Sequence, residues 1–70
     1  MKKLQKLIGF VEGKQVDTIF NTTSHFEEQY KILFIDGTSV IFISPYAESL
    51  GRIIVELYDE NNNFIAEDNI

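Results

Sequence analysis

The stretch Tyr30–Ser44, YKILFIDGTSVIFIS, decides the fold. Two runs rich in β-branched and aromatic residues flank Asp36-Gly37, a pair suited to a type I′ turn in which both central residues take positive φ. Such a turn sets Ile35 opposite Thr38, Leu33 opposite Val40 and Lys31 opposite Phe42. The other face then holds Tyr30, Ile32 and Phe34 across from Ile43, Ile41 and Ser39. Both faces of this hairpin are apolar, and 70 residues are too few to cover both. A chain this short buries only about 60% of the surface exposed by its unfolded form. It has no cysteine, so neither a disulfide nor a thiolate metal site helps to hold it. Association with another molecule is the aid that remains.

Upstream of the hairpin, Leu4, Leu7 and Ile8 recur at helical spacing ahead of Gly9. This reads as a short N-terminal helical turn with a glycine stop, or equally as an edge strand over residues 4–11. Gly13-Lys14 suits a hairpin turn with glycine first. Val16–Phe20 reads as a strand, with Val16, Thr18 and Phe20 on one side and Asp17 and Ile19 on the other. Asn21–Gln29 is polar. Within it, Ser24-x-x-Glu27 fits a capping box for one helical turn, and a loop anchored by Phe26 fits as well.

Downstream, Ser44 suits an N-cap with Pro45 at the first helical position and Gly51 as the stop, giving a short helix over Pro45–Leu50. Arg52–Tyr58 alternates, with Ile53, Val55 and Leu57 on one face and Arg52, Ile54, Glu56 and Tyr58 on the other. Asn61-Asn62-Asn63 is a turn, because asparagine tolerates the left-handed region. Phe64–Glu67 then closes a second hairpin in which Tyr58 meets Ile65, Leu57 meets Ala66 and Glu56 meets Glu67. The last pair is unfavourable, so fraying is expected there. Residues 1–70 form one domain of mainly β class. The expected architecture is a small antiparallel sheet of about five strands, a meander or half-open barrel, with one or two short helical turns.

Eleven acids against six bases give a net charge of −5. Direct binding to nucleic-acid phosphates, which needs clustered Lys and Arg, is not expected. No apolar run approaches the roughly 20 residues of a membrane span. After Met1-Lys2-Lys3, Gln5 and Lys6 interrupt the segment and no A-x-A site follows, so no signal peptide is read. A cytoplasmic location is expected.

The candidate sites are few. Asp59-x-Asn61-x-Asn63 begins like a calcium loop, but Phe64 stands at the glycine position and Ile70 at the glutamate position, so a hairpin turn is the better reading and no metal is expected. His25 is the sole histidine, with Ser24, Glu27 and Glu28 merely its sequence neighbours. No nucleophile elbow, P-loop or dinucleotide fingerprint is present, so neither catalysis nor a cofactor is expected. Ser44, Tyr46 and Arg52 form a candidate anion site. A helix start at Pro45 would offer backbone N–H groups, Arg52 a bidentate phosphate contact and Tyr46 a stacking ring. The plainer alternative makes Ser44 a cap, Tyr46 a packing residue and Arg52 a partner of Glu48 or Glu56.

In being short, acidic, compact and free of cysteine, the chain resembles small accessory proteins of bacteriophages and bacterial mobile elements. The likeness is one of type and rests on no motif. It implies a protein that blocks a host enzyme or captures its nucleotide signal. The expected function is therefore that of a non-catalytic binding protein and homo-oligomer. It would occupy a host protein or sequester a small anionic ligand at an interface formed by Tyr30, Ile32, Phe34, Ile41 and Ile43, with Tyr58 at its margin. The alternatives are an acidic nucleic-acid mimic that blocks a host protein, through the acids of residues 56–68, and a bacterial structural or regulatory interaction module.

Overall fold

The structure, a computed structural model, describes residues 4–22, 27–45 and 53–69. Among the described residues one helix, α1 (Gln5–Val11), precedes five strands: β1 (Val16–Asn21), β2 (Glu27–Phe34), β3 (Ser39–Pro45), β4 (Ile54–Tyr58) and β5 (Phe64–Asn69). The strands form one open antiparallel sheet in the order β1-β2-β3-β4-β5. The fold is thus the expected mainly β meander, because each strand finds its partner across the next turn. The molecule measures 33 × 31 × 18 Å, the thickness of a sheet with a single helix laid on it.

The central hairpin corrects the expected register. Of the turn residues only Gly37 has positive φ (92°). Asp36 instead uses its side chain, accepting from the Thr38 backbone N–H at 2.9 Å and from Thr38 Oγ1 at 2.6 Å. The loop therefore has three residues, Ile35-Asp36-Gly37, closed by Gly37 N–H to Phe34 O (3.0 Å) and Phe34 N–H to Thr38 O (2.9 Å). This is the type I turn followed by a left-handed residue that three-residue hairpins favour. Leu33 now pairs with Ser39, Ile32 with Val40 and Tyr30 with Phe42. A shift of one residue exchanges faces. Tyr30, Ile32 and Phe34 share their face with Val40 and Phe42, while Ile41 and Ile43 lie on the other side with Lys31 and Gln29.

The second hairpin repeats the device. Asn62 takes φ 66°, Asn62 N–H donates to Asp59 O, and Asp59 N–H donates to Asn63 O, both at 3.0 Å. Asp59 Oδ1 accepts from the backbone N–H groups of Asn61 and Asn63 at 2.9 Å. Leu57 meets Ala66 and Glu56 meets Glu67, as expected. A bulge brings Phe64 rather than Ile65 opposite Tyr58, and pairing continues to Ile54 and Asn69 instead of fraying.

Phe34, Val40, Val55 and Leu57 are the buried core, with Leu4, Leu7, Phe10, Val11, Ile32, Phe42, Ile53 and Ala66 packed around it. The alternation expected for β4 holds: Ile53, Val55 and Leu57 all turn to the helix. The helix itself runs through Gly9 to Val11, and Phe10 and Val11 pack inward, whereas Ile8 is exposed. Gly13 is not the first residue of a hairpin turn. It is the third residue of a type II turn, Val11–Lys14, with φ 79° after Glu12 at φ −57°, ψ 126°.

Glu27 opens strand β2, so the helical turn of the capping-box reading is not formed at that residue. Pro45 ends strand β3, across from Glu27, so a helix does not begin there. The remainder of the segments read as Ser24–Phe26 and Tyr46–Leu50 lies outside the described residues.

Candidate binding surface

Helix α1 packs on β4 and β5 and leaves the β1 end of the same face open. Two anchors hold it there. Leu7 N–H in its first turn donates to Asp68 Oδ2 of β5 at 3.1 Å, and Lys6 Nζ reaches Glu67 O at 3.4 Å. Leu4, at the N-cap position in left-handed conformation, makes no side-chain cap. The Asp68 carboxylate thus serves as the cap from another element, where negative charge is favoured.

A second tie links the helix exit to the central turn. Lys14 Nζ lies 2.8 Å from Asp36 Oδ2 and 4.6 Å from the centre of the Phe10 ring. The hydrogen bond from Lys14, followed by those from Thr38, holds the Asp36 carboxyl well below the usual carboxylate range. Ile35 N–H also donates to Gln15 O at 2.9 Å, joining the turn to the residue before β1.

The uncovered part of the helix-side face is built by β1 and β2. Ile19 pairs with Ile32, Asn21 with Tyr30 and Val16 with Phe34, with a bulge between Val16 and Thr18. Ile19 is 62% exposed, Val16 53% and Tyr30 41%. Ile32 and Phe42 are half-buried behind them. All six residues of β1 are exposed. Phe20 is exposed on the opposite side of the strand. That far face bears Leu33, Ile41, Ile54 and Tyr58, all half-buried, around a buried Ile43. Tyr58 donates its hydroxyl to Glu56 Oε1 at 2.8 Å and sets its ring edge-on to Phe64, with centroids 5.9 Å apart. The hydrogen bond to Glu56, and then desolvation, push its pKa up.

The expected interface residues therefore do not form one surface. Phe34 is a core residue, 5% exposed. Tyr30 and Ile32 lie on the open end of the helix-side face, and Ile41, Ile43 and Tyr58 lie on the far face. The physical reason is the three-residue turn, which moves the hairpin register by one. Of the expected anion site, Ser44 is an exposed strand residue with Glu28, a carboxylate, as its cross-strand neighbour. Tyr46 and Arg52, like His25, lie outside the described residues. Among the described residues no group of three His, Asp or Glu side chains is placed to hold a metal ion. The Asp59 carboxylate serves its own turn.

Val16, Ile19 and Phe20 are exposed surface residues outside the expected interface. The signal was available: in a meander the first strand lies at the sheet edge, and this one is apolar on both sides. No protein-family model, curated protein or solved structure matches the chain.

Proposed function

We propose that this protein is a non-catalytic binding protein that acts as a homo-oligomer and works by occupying a partner protein. Exposed Ile19 and Tyr30 beside half-buried Ile32, on a face whose other half is covered by α1, carry this reading. Large apolar side chains gathered in this way gain from removal from water, at about 25 cal/mol per Å² before the costs of association. Inhibition of a host protein, implied by the likeness to phage accessory proteins, is the finer form of the same reading. Sequestration of an anionic ligand is left out of it, because Glu28 opposite Ser44 would repel the anion.

Sedimentation velocity across micromolar concentrations tests the oligomer. A shift from monomer to a larger species is expected, and a monomer throughout removes the homo-oligomeric part.

A second reading is favoured by the placement of charge. Glu56, Asp59, Glu60, Glu67 and Asp68 all fall on the β4–β5 hairpin, and residues 53–69 contain no Lys or Arg. An acidic mimic would present this hairpin to a basic groove of the partner. Its binding should weaken steeply as salt rises, and salt-insensitive binding would exclude it.

A further inference from the structure

We infer that strand β1 is the self-association edge, and that two copies join β1 to β1 in antiparallel register about Ile19, making one ten-stranded sheet. This rests on the oligomeric part of the proposed function and names its geometry. The first observation is the unequal treatment of the two sheet edges. β5 is guarded by the packed helix and by Glu67 and Asp68. β1, reading VDTIFN, has no proline and no lysine, and every residue of it is exposed. Proline, lysine and other charges, bulges and a covering element are the usual protections of an edge strand; β1 has only Asp17 and the bulge beside it, both at its start, while Thr18–Asn21 pairs regularly and carries no charge.

The backbone is the second observation. Thr22 N–H donates to Gln29 O at 2.9 Å, so Thr22 faces β2 in a hydrogen-bonded pair. Hydrogen-bonded and non-bonded pairs alternate along an antiparallel ladder. Ile19, opposite Ile32, is therefore in a non-bonded pair, and its N–H and C=O point to the open edge.

The third is charge. Each copy carries −5, so two copies repel unless their acids are kept apart. β1 contributes only Asp17, while five acids lie on the β4–β5 hairpin at the opposite edge. Joining β1 to β1 puts those hairpins at the two far ends of the combined sheet. Joining β1 to β5 of the next copy would bring a strand without any base against an acidic one.

In the register about Ile19, the two Ile19 residues face each other, Thr18 faces Phe20 of the second copy, and Asp17 faces Asn21. Aromatic and β-branched neighbours are favourable cross-strand pairs, and no like charges meet. Side chains directly opposite share a face. Both helices thus lie on one side of the joined sheet, with Ile19, Tyr30 and Ile32 of each copy in the trough between them.

The test uses four single-residue variants. Ile19→Lys and Ile19→Glu should each weaken the dimer by about tenfold or more, since each sets like charges opposite one another. An equimolar mixture of the two should restore a one-to-one heterodimer, which also shows that both are folded. Raising salt should tighten the wild-type dimer by screening the repulsion between copies. Ile19→Cys should oxidise to a covalent dimer much faster than Ile35→Cys at the equally exposed turn position. The paired Cα atoms would lie about 5.5 Å apart, within disulfide reach. A wild-type dimer indifferent to Ile19→Lys, a mixture that stays monomeric, or equal cross-linking at residues 19 and 35 would overturn the β1 arrangement while leaving oligomerisation intact. A wild-type monomer would overturn both.

Discussion

Gly37, in the turn between β2 and β3, lies against Glu60, in the turn between β4 and β5: a Cβ built on the glycine would sit 3.1 Å from Glu60 Cβ and 3.6 Å from its Cα. The two hairpins use the same three-residue loop, and the sheet brings the loops side by side at one end. Gly37 thus meets two demands at once, a φ of 92° and the close approach of a neighbouring turn. Gly37→Ala should cost about 1–2 kcal/mol from the left-handed backbone alone, with the steric contact adding to it. Urea denaturation measures the loss. Glu60→Gly should recover only the steric part, so the double mutant should lie between the wild type and Gly37→Ala. Additive effects would show that the turns do not press on one another.

Asp36 connects this turn to the helix exit, and its ionisation should report the connection. Folding lowers its pKa, so the unfolded chain takes up the proton more readily. The stabilisation is whole above the ordinary carboxyl value of 3.8 and is lost as pH falls from there through the folded value. In a carboxyl carbon titration by NMR, the Asp36 midpoint should lie well below 3.8. Lys14→Met should move it up, because the hydrogen bond from Lys14 is the largest cause of the shift. A midpoint unmoved by that substitution would assign the shift to Thr38 instead.

Strand β4 was legible in the sequence because its alternation is strict and one face packs on the core, which leaves a single way to place half-buried Ile53 and buried Val55 and Leu57. The central hairpin was not, because Asp-Gly serves two loops. Which loop forms depends on Asp36 reaching Thr38, a contact that the dipeptide alone does not announce. That one choice decided which residues share a surface, and so the expected interface was divided between faces. Strand β1 was legible as a strand, with Val16, Thr18 and Phe20 on one side and Ile19 on the other, and the meander order that puts it at the sheet edge leaves both of its apolar sides exposed. The anion site depended on a helix beginning at Pro45, where β3 still runs.

Gly9 suits a helix stop in the sequence, yet α1 continues past it because Phe10 and Val11 gain burial on the core. A Cβ at Gly9 would touch nothing within 4 Å, and its φ is not positive. Gly9→Ala should therefore stabilise the protein by about 0.5–1 kcal/mol, the helix-interior difference between the two residues. Thermal unfolding should show a rise of about 4–8 °C per kcal/mol in a domain of this size. A lower midpoint would mean that the helix is not formed through residue 9.

Asp68 should carry more of the helix than any residue within the helix's own first turn. Leu4 provides no side-chain cap, and the first turn of α1 holds no acid. The Leu7 N–H, one of the four donors left open at a helix start, is met from β5, by the partly buried Asp68 carboxylate at 3.1 Å. Asp68→Ala should cost about 1 kcal/mol, the usual loss for an N-cap acceptor. Asp68→Asn keeps an acceptor oxygen but loses the charge that suits a helix N-terminus, so its cost should be smaller. Amide exchange separates a cap from a general sheet effect. Exchange at Leu7 and Ile8 should quicken in Asp68→Ala while the β2–β3 amides keep their protection. Uniform acceleration throughout the sheet would place the role of Asp68 in β4–β5 pairing and leave α1 held by its apolar face alone.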